Sequence, residues 1–474
     1  VFPPTFTPTQ PGAPTAAPTP RPSRTPPGTA TLAPTLAPSA TPPINIELAS
    51  AENQPAFAGR LLYFEGGRVM LWDSLSGTRQ PLGAGALPGD LTHYTVSAGG
   101  TLIAVARAAP GGAEILIYNR PANGVVRAIP LPGMAILHLA LSPDGTWLAY
   151  TAAQIEPTPT PGATATPAPT LTPTVVGSIH PTITPTPTAT PTGEPALDAG
   201  AVYLARLSDP AAPRLIAACD QQCTAPLWSP PSDYFVYGDK SGLWGADPLP
   251  GGGTSPQLIL DPVLSGLSGS TETRDGYLPL AFSPSGRFIL VRKGLTTGAI
   301  LAVVDRPTRL AENIPAAASH TGVAWLSGDL LFITRKGDDA SGGLPYAQVW
   351  AVTPGTGAGM FTLGGVYPLP GTADTLPAAP AQLPDGRISL TLINFRDAND
   401  VQTNGLYLLD LAAAAVKLNV LPFMQVRETY WFPDLTAALV VSDSRTLYVP
   451  ANGGQIYSIT NFLGSGACCW LWLP

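Results

Sequence analysis

Seven times along this chain an apolar run enters a short polar turn and a second apolar run leaves it, in the same order each time. The clearest unit runs from Ile136 through Ser142-Pro-Asp-Gly145 to Tyr150, and a near copy runs from Tyr277 through Ser283-Pro-Ser-Gly286 to Val291. Weaker copies pair Pro226–Ser232 with Tyr234–Tyr237, Val323–Asp329 with Leu330–Ile333, Ala381–Arg387 with Ile388–Leu392, and Tyr430–Asp434 with Ala437–Val441. Tyr94–Gly100 with Leu102–Val105 departs furthest from the pattern. A repeated unit too small to bury its own apolar face must stack on its neighbours, so the repeats share one continuous core.

The turn has a plain physical reading. Proline fixes φ, Asp or Ser hydrogen-bonds the local backbone, and glycine takes the positive φ that sends the chain back. Each unit is therefore two antiparallel strands. A third strand usually follows, as in Glu114–Tyr118, Gly200–Leu204, Gln348–Val352, Gly405–Leu409 and Gln455–Ile459, and a fourth completes the sheet. Turns recur about every 40–57 residues, except across a Thr/Pro-rich stretch at 155–195. Removing that stretch restores the spacing, so it reads as an insertion inside one repeat. Short strands at regular intervals leave a sandwich, a barrel or a propeller open.

The Ser142-Pro-Asp-Gly145 and Ser283-Pro-Ser-Gly286 units resemble the propeller repeats of the TolB-like and WD-repeat families, in which this turn joins a blade's first two strands. The resemblance spans residues 60–474 and implies an all-β chain with a single β-propeller of four-stranded blades. It says nothing of function. Arg60–Phe64 reads as the second strand of a blade whose first strand is missing, and Cys468–Pro474 matches that missing strand. Joining the two ends in one sheet gives eight blades, with seven as the alternative count, and removes the exposed edge of an open array.

Residues 1–43 are more than half Pro or Thr. Such a segment buries no core and favours extended polyproline II. The organisation expected is a Thr/Pro-rich arm over 1–43, a linker over 44–59 carrying an extra or donated strand, and the propeller over 60–474 with its insertion at 155–195. Only 12% of residues are charged, about half the usual share, so hydroxyl groups and sugars on them are expected to keep the chain soluble. The candidates for O-linked sugar are Thr5, Thr7, Thr9, Thr15, Thr19, Thr158, Thr160, Thr164, Thr166, Thr184, Thr186, Thr188 and Thr190. No Asn-x-Ser/Thr sequon occurs. A net charge of −7 without any Lys/Arg cluster argues against nucleic acid, and no apolar run reaches the length of a membrane span. The first residue is Val1, and the expectation is an exported, processed chain, extracellular or at the cell surface.

Cys219 and Cys223 read as a disulfide pinning the loop between two blades, which implies an oxidising compartment. Cys468 and Cys469 are left open between a vicinal disulfide, free thiols and a bridge to another chain. Gly-x-Ser-x-Gly is absent, and Asp144, Asp385 and Asp434 sit in turns where Asp serves the backbone. Asp397–Gly405 lacks the closing Glu of a calcium loop. Catalytic residues, metal ligands and cofactors are therefore expected to be none. Trp72, Trp147, Trp228, Trp325 and Trp431 are expected to pack between blades. Ile44, Ile46 and Leu48 alternate like a half-buried strand outside every blade, lying either on its own propeller or on a neighbouring subunit. The function expected first is a non-enzymatic structural protein that joins copies of itself head to tail through the arm, into a filament. The alternative is a surface propeller on a glycosylated stalk that recognises a protein, peptide or glycan.

Overall fold

The structure is a computed structural model, and it describes residues 45–83, 87–155, 200–219, 223–249, 255–262, 276–295, 298–315, 320–338, 341–355, 359–397, 399–422, 425–442, 444–464 and 467–473. The candidate threonines and Ile44 lie outside these residues. Eight antiparallel sheets of four strands follow one another around a ring. From the innermost strand outward, blade 1 is Cys468–Leu473, Arg60–Glu65, Arg68–Asp73 and Thr78–Pro81. Blade 2 is Leu91–Val96, Leu102–Ala109, Gly112–Asn119 and Gly124–Pro132, and blade 3 is Met134–Leu141, Trp147–Gln154, Ala201–Arg206 and Arg214–Ala218. Blade 4 comprises Leu227–Trp228, Phe235–Asp239, Gly242–Ala246 and Gln257–Leu260; blade 5 comprises Gly276–Phe282, Phe288–Leu295, Gly298–Asp305 and Leu310–Asn313. Blade 6 is His320–Leu326, Leu330–Arg335, Tyr346–Val352 and Phe361–Pro368, and blade 7 is Thr375–Gln382, Ile388–Asn394, Gly405–Leu409 and Val416–Val420. Blade 8 is Val426–Trp431, Ala437–Ser442, Thr446–Pro450 and Ile456–Ser458.

The core shows that the ring closes. Eight hydrophobic clusters occur, and each is built from two neighbouring blades, one cluster for every seam including that between blades 8 and 1. The sheets thus bury both faces, which is why second and third strands such as Trp147–Ala153 and Gly405–Leu409 are buried throughout rather than at alternate positions. The expected closure holds: Cys468–Leu473 pairs antiparallel with Arg60–Glu65, with Leu471 opposite Leu62.

The repeated turn is an inter-blade lock. The Ser142 hydroxyl accepts the Trp147 N–H at 2.9 Å and donates to Asp144 at 2.6 Å, while Asp144 also accepts the Thr146 N–H. Ser229 and Ser283 repeat the contact to Tyr234 and Phe288. The turns then bond to one another: Asp144 N–H donates to the Ser232 hydroxyl in the next blade, and Ser285 N–H to Asp329. Gly145 has φ +72°, and a Cβ there would stand 3.2 Å from Leu102 of blade 2. Gly145→Ala is expected to cost about 1–2 kcal/mol, since an L residue is strained at that φ, read as a lower urea midpoint at unchanged slope.

Asp305 ties blades 5 and 6 together. Its side chain is fully buried and accepts from Arg287 Nε at 2.9 Å, Thr308 at 2.8 Å and the Gly355 N–H at 3.2 Å. Burial pushes this carboxyl up, but the hydrogen bonds, with the Arg287 charge, outweigh it and hold it below the usual value. A carboxyl depressed in the folded state stabilises above its unfolded value and loses that contribution as pH falls through the folded one. Asp305→Asn should therefore cost about 2 kcal/mol near neutrality, and the gap from the parent should close below about pH 3 in urea titrations at stepped pH.

One strand assignment needs correction. Gln455–Ile459, expected as a third strand, supplies the fourth strand of blade 8, and the third is Thr446–Pro450. Blade 8 turns so tightly after Ser442, with Ser442 N–H donating to the Arg445 carbonyl, that no loop marks the change.

Ile46–Leu48 lies on its own propeller. It pairs in parallel with Ile456–Ser458 as a fifth strand on blade 8, with Ile46 opposite Ile456. Ile46 packs on the seam between blades 7 and 8, whereas Leu48 is 70% exposed. The chain then crosses to the other side of blade 8. Phe57 enters the seam between blades 8 and 1, its ring 4.8 Å from Trp72, 5.0 Å from Phe432 and 5.2 Å from Trp472.

Candidate binding channel

The innermost strands surround the axis of the ring, and seven of the eight share an irregularity. Each carries one residue more than the second strand it pairs with, so two residues face one. The extra residues are Thr92 in blade 2, Leu137 in blade 3, Leu280 in blade 5, Thr321 in blade 6, one of Ala379 and Pro380 in blade 7, and Arg427 in blade 8. In blade 1 the doubled pair is Cys469 and Trp470. A bulge bends its strand, raises the local twist and re-aims a side chain. Seven bulges at one level make a collar around the channel, and Thr92, Leu280 and Arg427 in it are exposed.

The collar is chemically uneven. Arg427 and Glu428 are the only Asp, Glu, Lys or Arg on the eight innermost strands. Neighbours on a regular strand point to opposite faces, but the bulge at Arg427 breaks that alternation. Both side chains are exposed, and the Tyr430 hydroxyl donates to Glu428. Facing them is a hollow where the blade 7 strand offers only Ala378, Ala379, Pro380 and Ala381. Together with Thr321–Val323 of blade 6, these residues line a cavity of about 400 Å3. Its mouth lies toward the face at which innermost strands begin. His93 and His138 stand at corresponding positions of adjacent innermost strands, opposite Ala106 and Thr151. Burial lowers the His93 imidazole below its usual value, so it is neutral at physiological pH.

The residues singled out in the sequence fall elsewhere. Cys219 and Cys223 form the expected disulfide, and both are buried in the seam between blades 3 and 4. Cys468 opens the blade 1 inner strand. Asp385 and Asp434 accept from the N–H groups of Arg387 and Thr436, as turn residues do. In the loop resembling a calcium site, Asp400 accepts from the Gln402 and Thr403 N–H groups and from Asn394, so its oxygens serve the loop. Among the described residues, His, Cys, Asp and Glu nowhere gather as three that could hold a metal ion. The tryptophans serve the seams: Trp228 Nε1 donates across to the Ala140 carbonyl at 2.9 Å, and Trp325 stacks on Phe288 of blade 5. Sequence reasoning missed Arg427, Glu428 and Tyr430. The available signal was a charged pair in a strand type otherwise free of charge.

Bulged innermost strands around a closed eight-membered ring define the class as an eight-bladed β-propeller, as the repeats implied. No family model matches the chain, and no curated protein matches it. Solved structures similar to it include the β-propeller domain of Cps50 (Swd1) from Myceliophteria thermophila, at 13% identity and TM-score 0.38, covering 75% of this chain and 94% of that one. Dihydro-heme d1 dehydrogenase NirN in complex with DHE matches at 14% identity and TM-score 0.48, covering 91% and 83%. A eukaryotic initiation factor matches at 10% and 0.48, covering 89% and 99%. At these identities and scores they add nothing to the topology described above. No helix among the described residues is long and apolar enough to cross a membrane.

Proposed function

We propose that this chain is a non-catalytic recognition propeller of an exported, surface-held protein, with its Thr/Pro-rich segments as glycosylated stalk and loop. It takes a carboxylate-bearing glycan or peptide into the cavity at the channel mouth. The observation that carries this is the placement of the only two formal charges of the innermost strands on one bulge, facing a hollow of small residues. Arg427 offers a planar fork that matches a carboxylate, and Glu428 with Tyr430 offers acceptors and a hydroxyl to an amine or sugar. The Cys219–Cys223 disulfide fits an oxidising compartment. Assembly through the arm, the other reading of the sequence, needs Ile46–Leu48 on a neighbour. That strand is already engaged by the chain's own blade 8.

An array of acidic and neutral oligosaccharides alongside acidic and neutral peptides tests the reading. Binding confined to acidic members, and reduced at least about tenfold by Arg427→Ala, supports it. That loss corresponds to about 1.4 kcal/mol, within the range of one charge-assisted hydrogen bond. Binding that Arg427→Ala leaves untouched counts against it.

A further inference from the structure

The outer rim carries a second feature, independent of the channel. Every blade ends in an outermost strand whose far edge presents unpaired backbone groups, and such edges invite pairing with another chain. Natural edges are defended by charge, shortness or a cover. Five of the eight follow the first rule, with Arg79, Arg127, Arg214, Glu312 and Lys417 on the outermost strands of blades 1, 2, 3, 5 and 7. Blade 4 has a strand of only four residues, Gln257–Leu260. The uncharged strand of blade 8 is covered by Ile46–Leu48, which shows that an edge of this propeller does accept an added strand.

Blade 6 alone has no defence. Its outermost strand, Phe361-Thr-Leu-Gly-Gly-Val-Tyr-Pro368, is eight residues long, carries no charge, and ends its sheet. Leu363 is 45% and Val366 52% exposed. In a regular strand these two would lie on opposite faces. Here Trp350 pairs with Leu363 and Val349 with Gly365, so Gly364 is an extra residue and Leu363 and Val366 share a face. Leu344, 47% exposed, extends that apolar face into a groove of about 360 Å3 lined also by Tyr346 and Gln348.

We propose that this edge is the contact between two copies of the chain, pairing antiparallel about a two-fold axis near Gly364 and Gly365 so that the two blades form one continuous sheet. The occupant is a second copy because the edge is complementary to itself. Antiparallel pairing about that axis sets Leu363 against the partner's Val366 and Val366 against the partner's Leu363, apolar on apolar, on one face. No charge on either strand opposes the approach. Such a contact is isologous, so it closes at a dimer rather than growing into a filament.

Sedimentation of the full chain across a range of concentrations tests this directly. The expected result is a reversible dimer, with backbone amides of 361–368 slower to exchange hydrogen at high concentration than at low. Val366→Lys places an ammonium against its counterpart's apolar strand and should abolish the dimer while leaving the melting temperature nearly unchanged. The same substitution at Val126, exposed on the blade 2 edge, should leave the dimer intact. A parent chain that stays monomeric at every concentration, a dimer that survives Val366→Lys, or a dimer equally lost in Val126→Lys overturns the proposal. Dimerisation without slowed exchange at 361–368 does so too.

Discussion

A chain shortened by residues 467–474 is expected to lose its single cooperative melting transition, with the first unfolding on the order of 10 °C or more below that of the parent. The inner strand Cys468–Leu473 closes blade 1 and contributes to two seams at once. Trp470 and Trp472 pack into the cluster between blades 8 and 1, and Leu471 and Leu473 into that between blades 1 and 2. Each large apolar side chain fully buried is worth about 1.5–3 kcal/mol. Losing four such side chains, even when some are only partly buried, removes a large share of a stability that totals about 5–15 kcal/mol. The deletion also uncovers Leu61, Leu62 and Tyr63, which are fully buried, and leaves an open ring with a raw edge. Differential scanning calorimetry of the two chains decides it, and coincident transitions would refute the closure.

Phe57→Ala is expected to cost about 3–5 kcal/mol, the range for a large aromatic removed from a core. Phe57 is 4% exposed and sits among Trp72, Phe432 and Trp472, three rings from two blades. Its backbone is fixed as well: its N–H donates to the Ser74 hydroxyl at 2.8 Å, and that hydroxyl donates to its carbonyl at 3.1 Å. Residues 45–59 are therefore part of the fold rather than of a tether. Removing 1–44 should leave urea unfolding unchanged, whereas removing 1–58 should lower the midpoint at least as much as Phe57→Ala. Equal midpoints for the two truncations would show that the segment contributes nothing.

The sequence made the ring legible because its repeat is a local code. Ser142, Asp144 and Gly145 each serve the turn in which they occur, so the turn can be read without knowing what surrounds it. The closing strand was equally legible, since Arg60–Phe64 lacked a partner and Cys468–Leu473 was a strand without a turn. The collar was not. Whether a strand carries an extra residue depends on the register of its partner, and Thr92, Leu137 and Arg427 share no residue type. The destination of Ile46–Leu48 was hidden for a related reason: its alternation signals a strand but does not say whose edge it joins. Gln455–Ile459 was misplaced because its blade changes direction without a Gly/Pro loop to mark the extra strand.

The seam between blades 8 and 1 is stitched twice, once by the C-terminal strand and once by the segment from Ile46 to Phe57, and this sets how the propeller bears mechanical load. Tension arriving through the residues before Asn45 meets a strand lying alongside Ile456–Ser458 and bonded to it along its length, with the Gln455 side chain donating to the Asn45 carbonyl at 2.7 Å. Pulled along its axis, that strand must slide, breaking its bonds together; pulled outward, it peels, breaking them one at a time. In either case the load next reaches Phe57, wedged between the first and last blades. A protein held by its N-terminal side is thus gripped at its own clasp, and the ring is loaded where its two ends are already fastened to each other.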